Sequence, residues 1–445
     1  MLHILANRTY RHLFLAQIIA LIGTGLATVA LGLLAYDLAG PNAGAVLGTA
    51  LAIKMIAYVG VAPIAGAFAE RWPRRSMLVF LDLVRAFVAV LLPFVTEIWQ
   101  VYVLIFVLQS ASAAFTPTFQ ATIPDVLSDE RDYTRALSLS RLAYDMESLV
   151  SPMLAAALLT VISFHNLFAG TVVGFLVSAA MVISVTLPSP KSTEKRGIYD
   201  RTTRGMRIYL ATPRLRGLLA LTLAVSAAGS MVIVNTVVLV QAQFDLSQKS
   251  TAIALGAFGG GSMVAALLLP HLLEEISDRK AMLIGTAVLV AGLFIGMTVP
   301  SYILLLPLWL IFGLGYSLAQ TPSGRLLRRS SQPEDRPALF AAQFALSHAC
   351  WLITYPLAGW LGAKAGIPAT FAVLGCIAGL AVLAALKLWP NQDPEEIEHV
   401  HSGLDPQHPH LTGATPADGG YWHRHAFVID SHHTEWPYSQ TNRAR

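Results

Sequence analysis

Arg141, Asp145 and Glu147 interrupt a run of apolar and small residues between Leu139 and Ile162. Arg141 and Asp145 are spaced i,i+4, neighbours on one helical face that can neutralise each other. Glu147 lies about 200° around the helix from Asp145 at 3.6 residues per turn, so the same arginine does not easily satisfy both. A carboxyl without a fixed partner in low dielectric can take up and release a proton. Glu147 is therefore the first expectation for a proton carrier and Asp145 the second; the alternative is an acid bonded to a neighbouring helix. Lys54 stands nine residues into another apolar run, about 14 Å along a helix rising 1.5 Å per residue. That depth argues for a cavity, where its ammonium repels or binds an ion. Asp82 and Arg85, three apart, read as a structural ion pair. Gln17, Gln109, Asn235 and Gln343 either line a polar cavity or bridge helices. His348 and Cys350, two apart on one helix, face different sides and read as core packing rather than a metal site.

A second chemistry sits at the end of the chain. His399, His401, His408, His410, His423, His425, His432 and His433 come as His-Val-His, His-Pro-His, His-Arg-His and His-His, with Asp405, Asp418, Asp430 and Glu435 between or beside them. Neutral imidazoles suit nickel, zinc and copper, and paired histidines can chelate. No cysteine accompanies them and no closed four-ligand spacing is visible. Weak divalent-metal binding by this segment is the expectation, and no other cofactor is expected.

The elements that carry the first group are membrane spans. Hydrophobic residues make up 55% of the chain and charged residues 13%, against about a quarter charged in soluble domains. A bilayer core of roughly 30 Å needs ~20 apolar residues as a helix, because lipid leaves no other way to satisfy the backbone. Twelve such stretches occur: Leu13–Ala35, Ala45–Phe68, Met77–Val95, Val101–Gln120, Leu139–Ile162, Phe164–Leu187, Leu218–Val240, Thr251–Leu269, Met282–Val299, Tyr302–Ala319, Ala338–Trp360 and Thr370–Leu388. Residues 1–12 carry no separate cleavable leader signal, so Leu13 onward reads as a full span. Arginines gather in the even-numbered loops, at Arg71, Arg74, Arg75, Arg131, Arg135, Arg279, Arg325, Arg328, Arg329 and Arg336, whereas the odd-numbered loops hold Lys249 and Lys364. The positive-inside bias then puts both termini in the cytoplasm of a bacterial-type inner membrane. The net charge of +4 is thus a topology signal, and no nucleic-acid partner is expected. The two cysteines lie in apolar segments, so no disulfide framework is indicated.

Landmarks repeat. Glu70-Arg71 matches Asp278-Arg279, Thr116-Pro117 matches Thr321-Pro322 and Ser151-Pro152 matches Tyr355-Pro356, at offsets of 208, 205 and 204. The chain divides into a six-helix unit at 1–187, a linker loop at 188–217, a second six-helix unit at 218–389 and a polar, histidine-rich tail at 390–445. The tail is expected to be mostly disordered and cytoplasmic, although Ala426–Asp430 and Trp436-Pro437 have the composition to dock. Duplicated units of this kind are a mark of secondary transporters, with the solute site near the midplane.

The segment from Gly66 to Arg75, with Glu70, Arg71, Arg74 and Arg75, resembles the loop 2–3 signature of the major facilitator superfamily, with Glu for the usual Asp and Pro73 for the second Gly. The resemblance implies an all-α membrane fold of twelve transmembrane helices in two pseudo-symmetric six-helix bundles. It also implies a conformational latch at Gly66, Glu70, Arg71, Arg74 and Arg75. Ser151, Pro152, Ala155 and Ala156 resemble the exporter element of proton-driven members, with its glycines replaced by Ser and Ala. The opening Asn7–Gln17 is similar to multidrug and siderophore exporters, and the histidine tail to nickel-exporting members.

The expectation is a proton-coupled transporter that exports a small toxic or drug-like solute by alternating access, its partners being the bilayer, the solute and protons. A nickel or cobalt exporter, and a metal sensor that keeps the transporter fold, are the alternatives; import also stays open. An enzyme is not expected: the chain has no G-x-S-x-G, no H-E-x-x-H and no ligand triad at membrane depth.

Overall fold

A computed structural model describes residues 2–39, 43–69, 72–188, 197–394, 396–401, 405, 408–411, 413–417, 420–430, 432–433 and 436–437. The helices in chain order are α1 (Arg8–Ala39), α2 (Ala43–Ala69), α3 (Arg74–Leu91), α4 (Ile98–Val126), α5 (Glu130–Leu158), α6 (Phe164–Ile183), α7 (Ile198–Ala211), α8 (Pro213–Val237), α9 (Gln248–Glu275), α10 (Asp278–Gly296), α11 (Tyr302–Gln320), α12 (Ser323–Arg329), α13 (Arg336–Lys364) and α14 (Ile367–Leu388). Ten of them are long and apolar enough to cross a bilayer unaided. The remaining two of the twelve expected spans are α2, with a shorter apolar stretch at Ala52–Ala65, and α5, whose Arg141, Asp145 and Glu147 must be shielded by neighbours. In the segment expected to be a linker loop, α7 is an amphipathic helix that buries Ile208 and Tyr209.

The two six-helix units pack alike. In the first, α1 lies on α6, α2 on α4 and α3 on α6; in the second, α8 lies on α14, α9 on α11 and α10 on α14. The halves meet along two seams, α2 on α13 and α5 on α9. Each seam is the other's repeat equivalent, since α2 corresponds to α9 and α5 to α13.

Lipid gives helices no hydrophobic reason to associate, so close packing of small residues does the work. At the α9–α11 crossing a Cβ on Gly313 would collide with the Phe258 carbonyl, and one on Gly261 with that of Leu310. The fully buried Trp309 fills the second core and donates its indole N–H to Thr236 Oγ1 at 2.8 Å. A π-helical turn, Val238–Gln243, closes α8.

The tail departs from the expectation of disorder. It forms β1 (Glu396–His401), β2 (Thr415–Ala417) and β3 (Gly420–Ala426), an antiparallel sheet in the order β1-β3-β2. The segments whose composition suggested docking do dock: Phe427, Ile429 and Trp436, joined by Ile397, are buried in one cluster with Tyr209, Leu215, Leu327, Phe340 and Trp389 at the base of the second bundle.

Gly313→Ala is expected to force α9 and α11 apart and destabilise the protein by roughly 1–3 kcal/mol, the cost of overpacking. Gly256→Ala, where an added Cβ meets nothing within 4 Å, should leave the unfolding temperature in detergent unchanged. Equal melting of both variants would refute this account of the crossing.

Candidate functional site

Arginines cap one end of the bundle, and several of them cross between the halves. Asp125, at the end of α4, accepts both Arg74 of its own half and Arg336 of α13, and all three side chains are largely buried. Arg74 also donates to the Pro333 carbonyl across the seam at 3.4 Å. Arg325 of α12 stands 2.8 Å from Glu130 of the first half and 3.0 Å from the buried Asp278 of its own. It also donates to Thr134 Oγ1 at 2.9 Å, and Arg328 donates to the Ser128 carbonyl. The linker helix joins this network through a bidentate pair, Arg204 to Asp335 at 2.5 and 2.7 Å. This basic end is closed.

Of the expected latch residues, Arg74 enters the network, and Arg75 donates to the Ile183 carbonyl of α6. Gly66 lies within α2; Glu70 and Arg71 lie outside the described residues. Asp125 and Glu130 were not singled out from the sequence. Their partners across the seam, Arg336 and Arg325, stand 211 and 195 positions away along the chain, and no local spacing could have pointed to them.

Deeper in the membrane, Arg141 holds Asp145 at 2.6 and 3.2 Å and donates to Ser262 Oγ of α9 at 3.1 Å. Its guanidinium also lies over the Tyr316 ring at 4.6 Å. The i,i+4 pair therefore doubles as a tie between the halves. Glu147 points the other way, toward α1, so close to Gly25 that a Cβ there would stand 2.7 Å from its Oε1. The opposite charge it faces is Lys54. Ser151 packs on the same glycine and Ala155 is fully buried against α1, as part of a cluster with Leu26 and Ala30. Pro152 and Ala156 lie in α5, but their side chains are outside the description.

Lys54 lines a pocket of about 490 Å³ with Ala52, Met55, Ile233, Val234, Leu352, Tyr355 and Pro356. These residues lie on α2, α8 and α13, in the half of the membrane away from the basic end. Beneath it Tyr58 carries the Lys54 ammonium at 5.5 Å and packs on Phe344 and His348 of the other half at 4.9 and 4.7 Å. Of the residues expected around a cavity, only Lys54 lines this pocket. Gln17 is bonded to Ser140 and Tyr144, Gln109 accepts from Tyr58 at 2.9 Å, Asn235 donates to the Ala358 carbonyl at 3.2 Å, and Gln343 accepts from Tyr209 at 2.5 Å. An amide buried in low dielectric finds partners on the next helix, and these four do. Tyr355 of α13 is the polar lining residue that the sequence alone did not reveal; His348, read as core packing, packs on Tyr58 beneath the pocket.

The tail brings most of its histidines together. His399 and His401 project from one face of β1 and His423 and His425 from one face of β3, with His399 opposite His423. His410, on a 3₁₀ turn, and His433 close over them. One nitrogen from each of His399, His401, His410, His423 and His425 falls within 4.8 Å of the others. Burial first, then the neighbouring imidazoles, pushes His401 down to about 3 and His410 to about 4. His399 is likewise at about 4, burial outweighing its bond to the Ile397 carbonyl. These rings are neutral at pH 7. His432 lies beside His408 and His410, ring centres 5.0 and 5.2 Å apart.

A family profile described as Major Facilitator Superfamily matches residues 13–260 and 218–411. The chain is 25% identical over 404 residues, 86% of its length and 93% of the relative's, to an uncharacterised MFS-type transporter, YvqJ, of Bacillus subtilis (strain 168). It is 26% identical over 152 residues to macrolide efflux protein A of Enterococcus faecalis, covering 32% of this chain and 47% of that protein. Its fold is similar to the human organic anion transporter MFSD10, with a TM-score of 0.75 at 12% identity over 85% of this chain and 99% of that one.

Removing the shared acid should open the basic end. Asp125→Asn leaves Arg74 and Arg336 buried without their carboxylate, a loss of roughly 3–5 kcal/mol to the closed arrangement. With Cys350 and Cys376 replaced by Ala, a cysteine at the buried Ser331 should react with a water-soluble maleimide faster in Asp125→Asn than in its parent. Unchanged labelling would show that the acid does not hold the gate.

Proposed function

The chain belongs to the Major Facilitator Superfamily, and from that premise we propose that it exports small amphipathic solutes across a bacterial inner membrane in exchange for protons. The observation that carries this reading is the pocket beside Lys54, whose walls are apolar except for one ammonium and the Tyr355 hydroxyl. Such a lining takes up an apolar body and orients it by one polar handle. It disfavours a cationic cargo, and among the described residues that line it there is no histidine, cysteine or acid. Likeness to a macrolide efflux protein supports the direction of transport.

In this reading the units at 1–187 and 218–389 rock about the pocket, the segment 188–217 links them, and the basic end faces the cytoplasm with both termini. The described arrangement, closed at that end, is then the outward-facing state. Gly66, Glu70, Arg71, Arg74 and Arg75 belong to the latch that the Asp125 network completes. Glu147 is the proton carrier, with Asp145 second because Arg141 already holds it. A proton from outside neutralises Glu147 and frees Lys54 from its counter-charge; release of that proton inside restores the pair. Binding and coupling thereby share one electrostatic element.

The second reading, export of nickel or cobalt, is favoured by the histidine cluster of the tail, which lies at the base of the second bundle and not at the pocket.

The test is uphill efflux from proteoliposomes energised by a pH gradient, across a panel of lipophilic drugs and Ni²⁺. Glu147→Gln should abolish gradient-driven drug efflux and leave downhill exchange in place. Wild-type uphill efflux in Glu147→Gln would remove the carboxyl from the coupling step, and transport of Ni²⁺ alone would install the second reading.

A further inference from the structure

The ring-nitrogen geometry of the tail is that of a coordination sphere. The Nε2 atoms of His399 and His401 are 2.9 Å apart, those of His399 and His433 3.0 Å, those of His401 and His410 3.2 Å and those of His401 and His433 3.2 Å. Ligand nitrogens about 2.0–2.1 Å from one ion stand about 2.9–3.4 Å apart at angles of about 90–110°. The opposite nitrogens are fixed from outside: His399 Nδ1 bonds the Ile397 carbonyl at 3.0 Å, His425 Nδ1 the Ala426 carbonyl at 2.7 Å and His433 Nδ1 the Asp430 carboxylate at 2.9 Å. Those oxygens only accept, so each Nδ1 carries the proton and each neutral Nε2 presents a lone pair. Lone pairs of His399 and His433 facing each other at 3.0 Å repel unless a cation lies between them. Among the described residues, the buried Nε2 atoms of His423 and His425 have no hydrogen-bond partner. An outer carboxylate or carbonyl orienting each ligand is the usual support of a metal-binding histidine.

We propose that the tail is a binding site for one divalent late first-row transition ion, held by His399, His401, His410 and His433 with His423 and His425 beside them, and that its occupancy is felt by the gate helix α12. Imidazole suits nickel, copper and zinc, which fixes the ligand class. The route to the gate is short. Asp393, three residues before the start of β1, accepts Arg329 of α12 at 2.5 Å and the Trp389 indole at 3.1 Å, and it pairs with the buried Arg214 at 3.6 Å. Arg214 in turn lies under Trp436 at 5.0 Å. A metal that clamps β1, β3 and the segment around His433 therefore stiffens the same anchor that holds α12, and α12 carries the Arg325 and Arg328 bridges to the first half. This site regulates; it is not the pocket, and the proposal stands whether or not the cargo reading above does.

Untagged full-length protein in detergent, stripped with chelator, is dialysed against Ni²⁺ and against Zn²⁺. One ion per chain is expected, with affinity lost in His401→Ala and His433→Ala and unchanged in His271→Ala, a histidine on α9 outside the tail. Asp430→Asn, which reaches the cluster through His433, should weaken binding about 10–100-fold, and it carries the test if a histidine variant unfolds the sheet. Binding that is absent at stoichiometric metal, or indifferent to both His401→Ala and His433→Ala with the sheet intact, overturns the site. Hydrogen exchange in 323–329 should slow on metal addition in the parent and not in Arg329→Gln; exchange that ignores the metal in both overturns the link to the gate.

Discussion

A charge buried in a membrane protein needs an opposite charge, and at the basic end several of the partners stand on different halves of the molecule. Asp125 cannot satisfy Arg74 and Arg336 together unless α4 and α13 are in contact. Arg325 cannot reach both Glu130 and Asp278 unless α12 spans the seam. Desolvating the buried members, Arg74, Asp125, Arg336 and Asp278, costs several kcal/mol apiece, and the attraction offsets that cost only with good geometry. The closed basic end is therefore a consequence of charge burial. Arg141 repeats the arrangement at membrane depth, where its guanidinium serves Asp145, Ser262 and the Tyr316 ring at once.

The other end of the membrane is governed by a different balance. The wall of the pocket is aliphatic, and its polar groups, Lys54 and Tyr355, come from opposite halves. Glu147 and Lys54 interact across the first bundle without the enclosing arginines seen elsewhere. Asp145, by contrast, is locked by the bidentate Arg141 guanidinium. The contrast between Glu147 and Asp145, two residues apart, follows from which way each faces on α5.

Spans, repeat and the Arg141–Asp145 pair were legible because they depend on local period and composition. The cross-seam partners of Asp125 and Glu130 were not, since contacts between residues some two hundred positions apart leave no spacing to read. The tail is the instructive miss. Its polar composition suggested disorder, yet His-Val-His and His-Arg-His already contained the period of two that sets alternate side chains on one face of a strand. Read as strands, those tripeptides put four imidazoles on one surface. Composition did mark Trp436 for docking, and what it did not reveal was Ile397, buried beside it against Trp389 and the base of α8.

The helix α7 touches both α2 and α13, yet its attachments are unequal. Its Arg204 is clamped by Asp335, and its Gly205 leaves no room for a side chain against the Ala338 backbone; both partners sit at the start of α13. The sheet is also fastened to the second half. Any opening of the basic end must therefore peel α2 away from α7 while α7 stays with α13. If the two units rock as proposed, a duplicated architecture is mechanically lopsided: a light rocker of six helices against a heavier pedestal made of the other six, the connecting strut and the sheet.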